Sequence, residues 1–139
     1  MIVLDTNVLS EALKPAPFAT VLEWLAAQEP STVFLTAITQ AEVLYGVESL
    51  PRGKRRTRLL AAVEEMFAEE FSGRILPFDE DAARAYAPIV VARDKAGRPI
   101  SQADAMIAAI ARVHRAVLAT RNTADFDDCG VTVINPWTK

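Results

Sequence analysis

The chain alternates short apolar runs with longer segments in which apolar residues recur at helical spacing. Five of the runs are too short for helices and predict strands, at 2–4, 33–35, 75–76, 117–119 and 131–134. The segments between them predict helices, at 6–14, 18–28 and 39–48, around an apolar stripe at 59–71, after Asp79 and after Ser101. Strands that lack polar alternation and are separated by helices indicate an α/β fold, with a mostly parallel sheet covered on both faces.

Local chemistry predicts where several helices begin and end. Pro15 and Pro17 end the first helix, since proline removes a backbone donor and restricts the residue before it. Asp79 and Ser101 are predicted N-caps of the last two helices. Pro88 is predicted to kink the helix in which it lies.

The composition supports one globular domain spanning 1–139. The chain has 139 residues, of which 51% are hydrophobic and 24% charged, the balance of a soluble protein with one buried core. No run approaches the roughly 18–20 apolar residues of a membrane helix, so no membrane partner is expected. Cys129 is the single cysteine, which suits the reducing cytoplasm. With one cysteine and one histidine, a Cys/His zinc site is excluded, and any metal must be held by carboxylates.

An acidic residue follows or closely follows most of the predicted strands. Asp5 comes directly after the first strand, and Glu42 is predicted in the first turn of the helix after the second. Asp104 lies in the first turn of the helix that begins at Ser101, and Asp125 lies in the loop after the fourth strand. Because the carboxyl ends of parallel strands share one edge, we expect these four acids to converge there.

Converging carboxylates repel one another, and a hard divalent cation such as Mg²⁺ or Mn²⁺ removes that repulsion. The chemistry indicated is metal-assisted hydrolysis of a phosphodiester.

Helix capping is a second interpretation of the same residues. Asp5 is placed to cap the first helix, Thr39-x-x-Glu42 matches a capping box, and Ser101-x-x-Asp104 is close to one. The two roles are compatible.

Positive charge is concentrated in one segment although the net charge is −3. Arg52, Lys54, Arg55, Arg56 and Arg58 precede or enter the predicted helix of the stripe at 59–71. This segment is either a solvated helix face, a surface that follows RNA phosphates, or a docking site for an acidic partner.

Five motifs carry a resemblance to a known family. They are Ile2-Val3-Leu4-Asp5-Thr6-Asn7, Thr39-Gln40-Ala41-Glu42-Val43-Leu44-Tyr45-Gly46-Val47, Gln102-Ala103-Asp104-Ala105-Met106-Ile107-Ala108-Ala109, Ala119-Thr120-Arg121-Asn122 and Asn135-Pro136-Trp137. In this order they resemble PIN-domain proteins, and more narrowly the VapC- and FitB-type toxins of bacterial type II toxin–antitoxin pairs. The resemblance covers essentially the whole chain. It implies an α/β/α sandwich with a central five-stranded sheet, Mg²⁺- or Mn²⁺-dependent endoribonuclease activity and a homodimer.

The resemblance also implies partners and residue roles. RNA is the implied substrate, and a small VapB- or FitA-like antitoxin the implied partner, through which alone the pair binds DNA. Asp5, Glu42 and Asp104 correspond to the family's core acids, with Asp5 and Asp104 as direct metal ligands and Glu42 as a ligand or the holder of a metal-bound water.

The fourth acidic position is open between two residues. Some relatives have an aspartate where this chain has Asn122, so either Asp125 supplies that charge or the second metal site is weakened. Thr6, Thr120, Arg121 and Asn122 are the implied contacts to substrate or to the acids.

Other classes fit less well. A phosphoacceptor domain needs an acidic pair after the first strand and a lysine near the last, and this chain has neither. A serine hydrolase needs a Gly-x-Ser-x-Gly elbow, which is absent. The remaining alternative to a ribonuclease is a catalytically weak PIN-like module that acts mainly by binding its antitoxin.

Overall fold

The computed structural model describes residues 1–138 and contains five strands and six α-helices. The strands are β1 (Ile2–Leu4), β2 (Val33–Thr36), β3 (Ile75–Leu76), β4 (Val117–Ala119) and β5 (Thr132–Ile134). The helices are α1 (Thr6–Ala12), α2 (Ala19–Ala26), α3 (Ala37–Glu48), α4 (Lys54–Glu65), α5 (Glu80–Lys95) and α6 (Gln102–Val113). Short 3₁₀ segments occur at Pro30–Thr32 and Thr123–Phe126. All five predicted strands are therefore present.

The strands form one sheet in the order β3-β2-β1-β4-β5, and every neighbouring pair is parallel. This confirms the predicted α/β fold with a parallel sheet. β1 lies at the centre, with Leu4 in register with Ala119 of β4. Residues that directly follow these two strands are consequently neighbours at the carboxyl edge of the sheet.

Helices cover both faces of the sheet, as the uninterrupted apolar strands predict. Successive strand residues point to opposite faces, so Val3 and Leu118 pack against α5 and α6, whereas Leu4 and Ala119 pack against α1 to α4. No helix among residues 1–138 is both long and apolar enough to cross a membrane.

Two helix predictions differ from the structure. The helix predicted at 39–48 begins at Ala37, because the hydroxyl of Thr36 caps it by accepting a hydrogen bond from the backbone N–H of Thr39 (3.1 Å). The Thr39–Glu42 capping box is therefore wrong, and Glu42 lies in the second turn of α3. The stripe at 59–71 is divided between α4 and a π-helical turn at Met66–Glu70. Helix α5 contains Pro88 in its interior, and the kink expected there stays a prediction.

Candidate active site

Asp5 lies at the carboxyl edge of the central strand, where the strand register brings it beside Thr120. Its backbone N–H donates to the carbonyl of Ala119 (2.9 Å). One carboxylate oxygen accepts from the N–H of Thr6 (2.8 Å), which caps α1, and the other accepts from the hydroxyl of Thr120 (2.7 Å). The side chain is only 5% exposed. Asp5 thus has the capping role proposed for it and also faces the edge of the sheet.

Glu42 reaches the same edge from α3. The hydroxyl of Thr6 donates to its Oε1 (2.6 Å), and Thr6 also shares a hydrogen bond with the hydroxyl of Thr39 (3.0 Å). Glu42 is exposed, whereas Thr39 is fully buried. The side chain of Thr6 therefore holds the exposed Glu42 carboxylate beside the residue that follows β1.

Asp104 and Asp125 meet on the other side of this edge. The hydroxyl of Ser101 caps α6 by accepting from the N–H of Asp104 (3.2 Å), as predicted. Asp104 is half-buried and Asp125 is exposed. Both line a cavity of about 240 Å³ together with Arg93 and Ser101.

The four acids influence one another electrostatically. Burial, together with the charges of Asp104 and Glu42, raises the pKa of Asp5 from 3.8 to about 6, although hydrogen bonds from Thr120 and Thr6 oppose the shift. Burial also raises the pKa of Asp104, and the charges of Asp125 and Glu42 add to that rise. The structure therefore brings together all four predicted acids, Asp5, Glu42, Asp104 and Asp125.

The four carboxylates are the groups at this edge that could hold a divalent cation. Within residues 1–138, no three Asp, Glu, His or Cys side chains are arranged so that they could hold a metal ion together. Mg²⁺, however, is usually held by one or two carboxylates and several waters, so a pair of acids is sufficient. The available ligands are all carboxylate oxygens, and their charges raise the pKa of Asp5 and Asp104. Such a set fits a small, hard cation.

The loop after β4 carries the remaining predicted residues. The guanidinium of Arg121 lies over the ring of Trp137, 5.2 Å from its centroid. Asn122 is exposed, and its N–H donates to the hydroxyl of Thr120 (3.1 Å). Of the two candidates for the fourth acidic position, Asp125 is the one that contributes negative charge at Asp104.

Two residues of this region were not predicted as site residues. The amide of Asn7 donates to the hydroxyl of Thr120 (3.2 Å) and accepts from the N–H of Arg121 (3.2 Å), so it fixes the loop after β4 to α1. The position of Asn7, two residues after Asp5, is the sequence feature that could have identified it as a site residue. The second residue is Arg93, which lines the cavity of Asp104 and Asp125. An arginine in the last turn of a helix is usually a surface residue, so its sequence position gave no signal.

The other surfaces lie apart from the acids. In the basic segment at 52–58, Arg56 pairs with Glu48, and most of the other residues are exposed. A mainly apolar cavity of about 670 Å³ contains none of the four acids. Its lining comes from α1, α2 and the end of α4, including Leu9, Leu25 and Met66.

Comparisons with known proteins match nearly the whole chain. The family model described as PIN domain matches residues 2–130. The VapC ribonuclease Y4jK of Sinorhizobium fredii is 45% identical over 137 residues, which are 99% of this chain and 98% of that protein. The crystal structure of FitAcB from Neisseria gonorrhoeae superposes with a TM-score of 0.95 at 44% identity, covering 100% of each chain. A structure of FitAB bound to an IR36 DNA fragment gives the same TM-score of 0.95 and covers 97% of its matching chain.

The chain therefore belongs to the PIN-domain family. Within that family it is one of the VapC- and FitB-type toxins of toxin–antitoxin systems, as its motifs indicated.

Proposed function

We propose that this toxin is an Mg²⁺- or Mn²⁺-dependent endoribonuclease. The observation that carries the proposal is the group of four acids at the carboxyl edge of the sheet, where Asp5 and Asp104 both have a raised pKa. Burial, together with the charges of neighbouring acids, raises both pKa values and so destabilises the ionised, metal-free site. A divalent cation would reverse that effect. The name of the Sinorhizobium relative, a VapC ribonuclease, supports RNA as the substrate.

The acids have different proposed roles. Asp5 and Asp104 are the proposed metal ligands, and Glu42 either binds the metal or holds its water. When bound, the ion lowers the pKa of a water and neutralises charge on a phosphoryl oxygen. Hydrolysis would add the water oxygen to phosphorus and break the bond from phosphorus to one ribose oxygen, which would take up a proton from solvent as it leaves. Glu42 is suited to accept the water proton at its free oxygen, since Thr6 occupies only Oε1.

Residues of the loop after β4 are proposed to bind the substrate. Arg121 carries an exposed positive charge and directly follows Thr120, and its stacking on Trp137 limits its freedom. We propose that Arg121 binds the phosphate next to the scissile phosphate. The Thr120 hydroxyl orients Asp5 while it accepts from Asn7 and Asn122. Asn122 is exposed at the rim, where its amide can contact the RNA.

The proposed partner is an antitoxin of the VapB or FitA kind. The FitAcB and FitAB structures are the support for it, because they match the whole of this chain. DNA binding is assigned to the antitoxin, as the chain has a net charge of −3. We place the complex in the cytoplasm, with the toxin as a homodimer.

A second candidate is a weakly catalytic module that acts through its antitoxin complex. Two observations favour it: Asn122 is neutral, and no three potential ligands among residues 1–138 are arranged around one metal position. This candidate predicts tight antitoxin binding without RNA cleavage.

Cleavage of RNA by the purified protein separates the two candidates. The substrates are total RNA and a panel of defined tRNA and rRNA fragments, with Mg²⁺, with Mn²⁺ and with EDTA. Wild type is compared with Asp5→Asn and Asp104→Asn, and with Asp81→Asn, an exposed aspartate of α5, as the matched control. We expect metal-dependent cleavage by wild type and Asp81→Asn alone. Equal cleavage by all four proteins would contradict the assigned site.

A further inference from the structure

Arg93 is a buried arginine without a carboxylate partner. It lies in the last turn of α5 and is only 5% exposed. In residues 1–138 it takes part in none of the ion pairs, which involve Lys14, Arg56, Arg84 and Arg98. A buried charge is costly unless other groups solvate it, so the surroundings of Arg93 require an explanation.

Backbone carbonyls from two separate segments solvate the guanidinium. Nε donates to the carbonyl of Arg98 (2.6 Å), and Nη1 donates to the carbonyls of Asp125 (2.7 Å) and Asp127 (2.9 Å). In return, the carbonyl of Arg93 accepts from the N–H of Arg98 (2.9 Å), which with Gly97 at φ 70° forms a Schellman-type helix end. Arg93 thus joins the end of α5 to the loop of Asp125.

These hydrogen bonds of Arg93 fix the segments that carry Asp104 and Asp125. The connection fixed at Arg98 leads after two residues to Ser101, which caps the helix carrying Asp104. The second segment carries Asp125, whose own carbonyl is bonded by Arg93. Arg93, Asp104 and Asp125 line the same cavity. The positive charge of Arg93 lowers the pKa of Asp104, whereas the negative charge of Asp125 raises it.

We infer that Arg93 is a positioning residue of the active site, which holds the Asp125 loop so that the Asp125 charge lies beside the proposed metal ligand Asp104. The inference rests on the proposed function. The forked geometry of the guanidinium is essential to it, because one side chain must bond carbonyls of two segments at once. Lysine, with a single ammonium, cannot reproduce that arrangement.

Metal affinity distinguishes this role from a simple effect of charge. Removing a positive charge beside carboxylates strengthens cation binding, whereas misplacing a carboxylate weakens it. The positioning role therefore predicts weaker Mn²⁺ binding by Arg93→Met, by roughly tenfold, the size of effect that residues behind metal ligands commonly have. Tighter Mn²⁺ binding by Arg93→Met would overturn the inference.

The experiment measures the Mn²⁺ Kd by calorimetry and kcat and KM for RNA cleavage, on the full chain. The variants are Arg93→Met, Arg93→Lys and Asp125→Asn. Arg84→Met is the control, since Arg84 lies on the same helix and, within residues 1–138, pairs only with Glu80. Thermal unfolding of each variant is recorded first, and the assays are run well below the lowest Tm. We expect Arg93→Met to lower kcat at little-changed KM, Arg93→Lys to recover only part of the loss, and Arg84→Met to match wild type.

A double variant tests whether Arg93 acts through Asp125. If it does, adding Arg93→Met to Asp125→Asn causes little further loss of Mn²⁺ affinity or kcat. Losses that multiply in full would show independent actions and overturn the inference. If Arg93→Met does not fold, the same cycle with Arg93→Lys decides the matter. Wild type that neither binds Mn²⁺ nor cleaves RNA would overturn the proposed function and the inference together, whereas unchanged metal binding by every Arg93 variant would overturn the inference alone.

Discussion

Asp5→Asn is expected to stabilise the metal-free protein at neutral and higher pH while abolishing its proposed activity. The folded protein holds the Asp5 proton with a pKa of about 6, above the ordinary value of 3.8. Between roughly pH 4 and pH 6 the folded state therefore binds a proton that the unfolded state has released. The free energy of unfolding contributed by Asp5 consequently falls as the pH rises through this window.

The size of the effect follows from the two pKa values. The difference between 3.8 and about 6 corresponds to about 3 kcal/mol of stability lost above pH 6, for a side chain that is only 5% exposed. Asparagine stays neutral and avoids that loss. In wild type, Thr120 donates a hydrogen bond to one carboxylate oxygen of Asp5 (2.7 Å). If the amide nitrogen of the asparagine replaces that oxygen, this hydrogen bond is lost at a cost of about 1 kcal/mol. The variant should therefore be about 2 kcal/mol more stable than wild type at pH 8 and about 0.5 kcal/mol less stable at pH 4, where the unfolded Asp5 is already partly ionised.

Urea unfolding of both proteins in EDTA at five pH values between 4 and 8 measures this difference. Asp81→Asn, an exposed aspartate outside the site, is the control and should follow wild type at every pH. The decisive feature is the change of sign between low and high pH. If Asp5→Asn is destabilised by the same amount at pH 4 and pH 8, burial does not hold Asp5 in the protonated form and the electrostatic description of the site is wrong.

Three further outcomes are expected. Excess Mg²⁺ or Mn²⁺, at about 100 times its Kd, should stabilise wild type by about 2.7 kcal/mol but leave Asp5→Asn and Asp104→Asn nearly unchanged in thermal unfolding. Thr120→Val removes the hydroxyl that bonds the buried Asp5 carboxylate and should lower the free energy of unfolding by about 1–3 kcal/mol, measured in urea, together with kcat. Trp137→Leu removes the ring under Arg121 and should raise KM for RNA several-fold with little change in kcat; a change confined to kcat would contradict the phosphate-binding role of Arg121.

The sequence was sufficient to predict the sheet because each strand is a short apolar run between turn or capping residues. It was less able to locate helix starts where two candidates compete. Thr36 and Thr39 are both good caps; in the structure Thr36 caps the helix, whereas the hydroxyl of Thr39 shares a hydrogen bond with that of Thr6. This shift of two residues moves Glu42 from the first to the second turn of its helix. Predictions from local spacing do not include such a contact, because it joins residues 33 positions apart.

Convergence of the acids could be predicted because it depends only on topology. Once the strands are parallel, whatever follows β1 and β4 must meet at one edge. What the sequence could not predict is how the acids are supported. Arg93 is chemically an ordinary helix-end arginine, and only the packing of α5 against the Asp125 loop buries it. Support of this kind arises from tertiary contacts that leave no periodic or local pattern.

Capping and metal binding are therefore not competing explanations of the acids. Asp5 caps α1 through one oxygen, and the N–H of Asp104 is satisfied by Ser101, so both carboxylates lie at helix N-termini. The partial positive charge of a helix N-terminus lets a carboxylate remain ionised near other carboxylates. Yet the pKa of Asp5 is still raised to about 6, so this help is insufficient at the buried position. Burial of the Asp5 charge is the main cause of that rise, and repulsion by Asp104 and Glu42 adds to it. A bound cation would offset both effects, which links the low stability expected of this edge to its proposed chemistry.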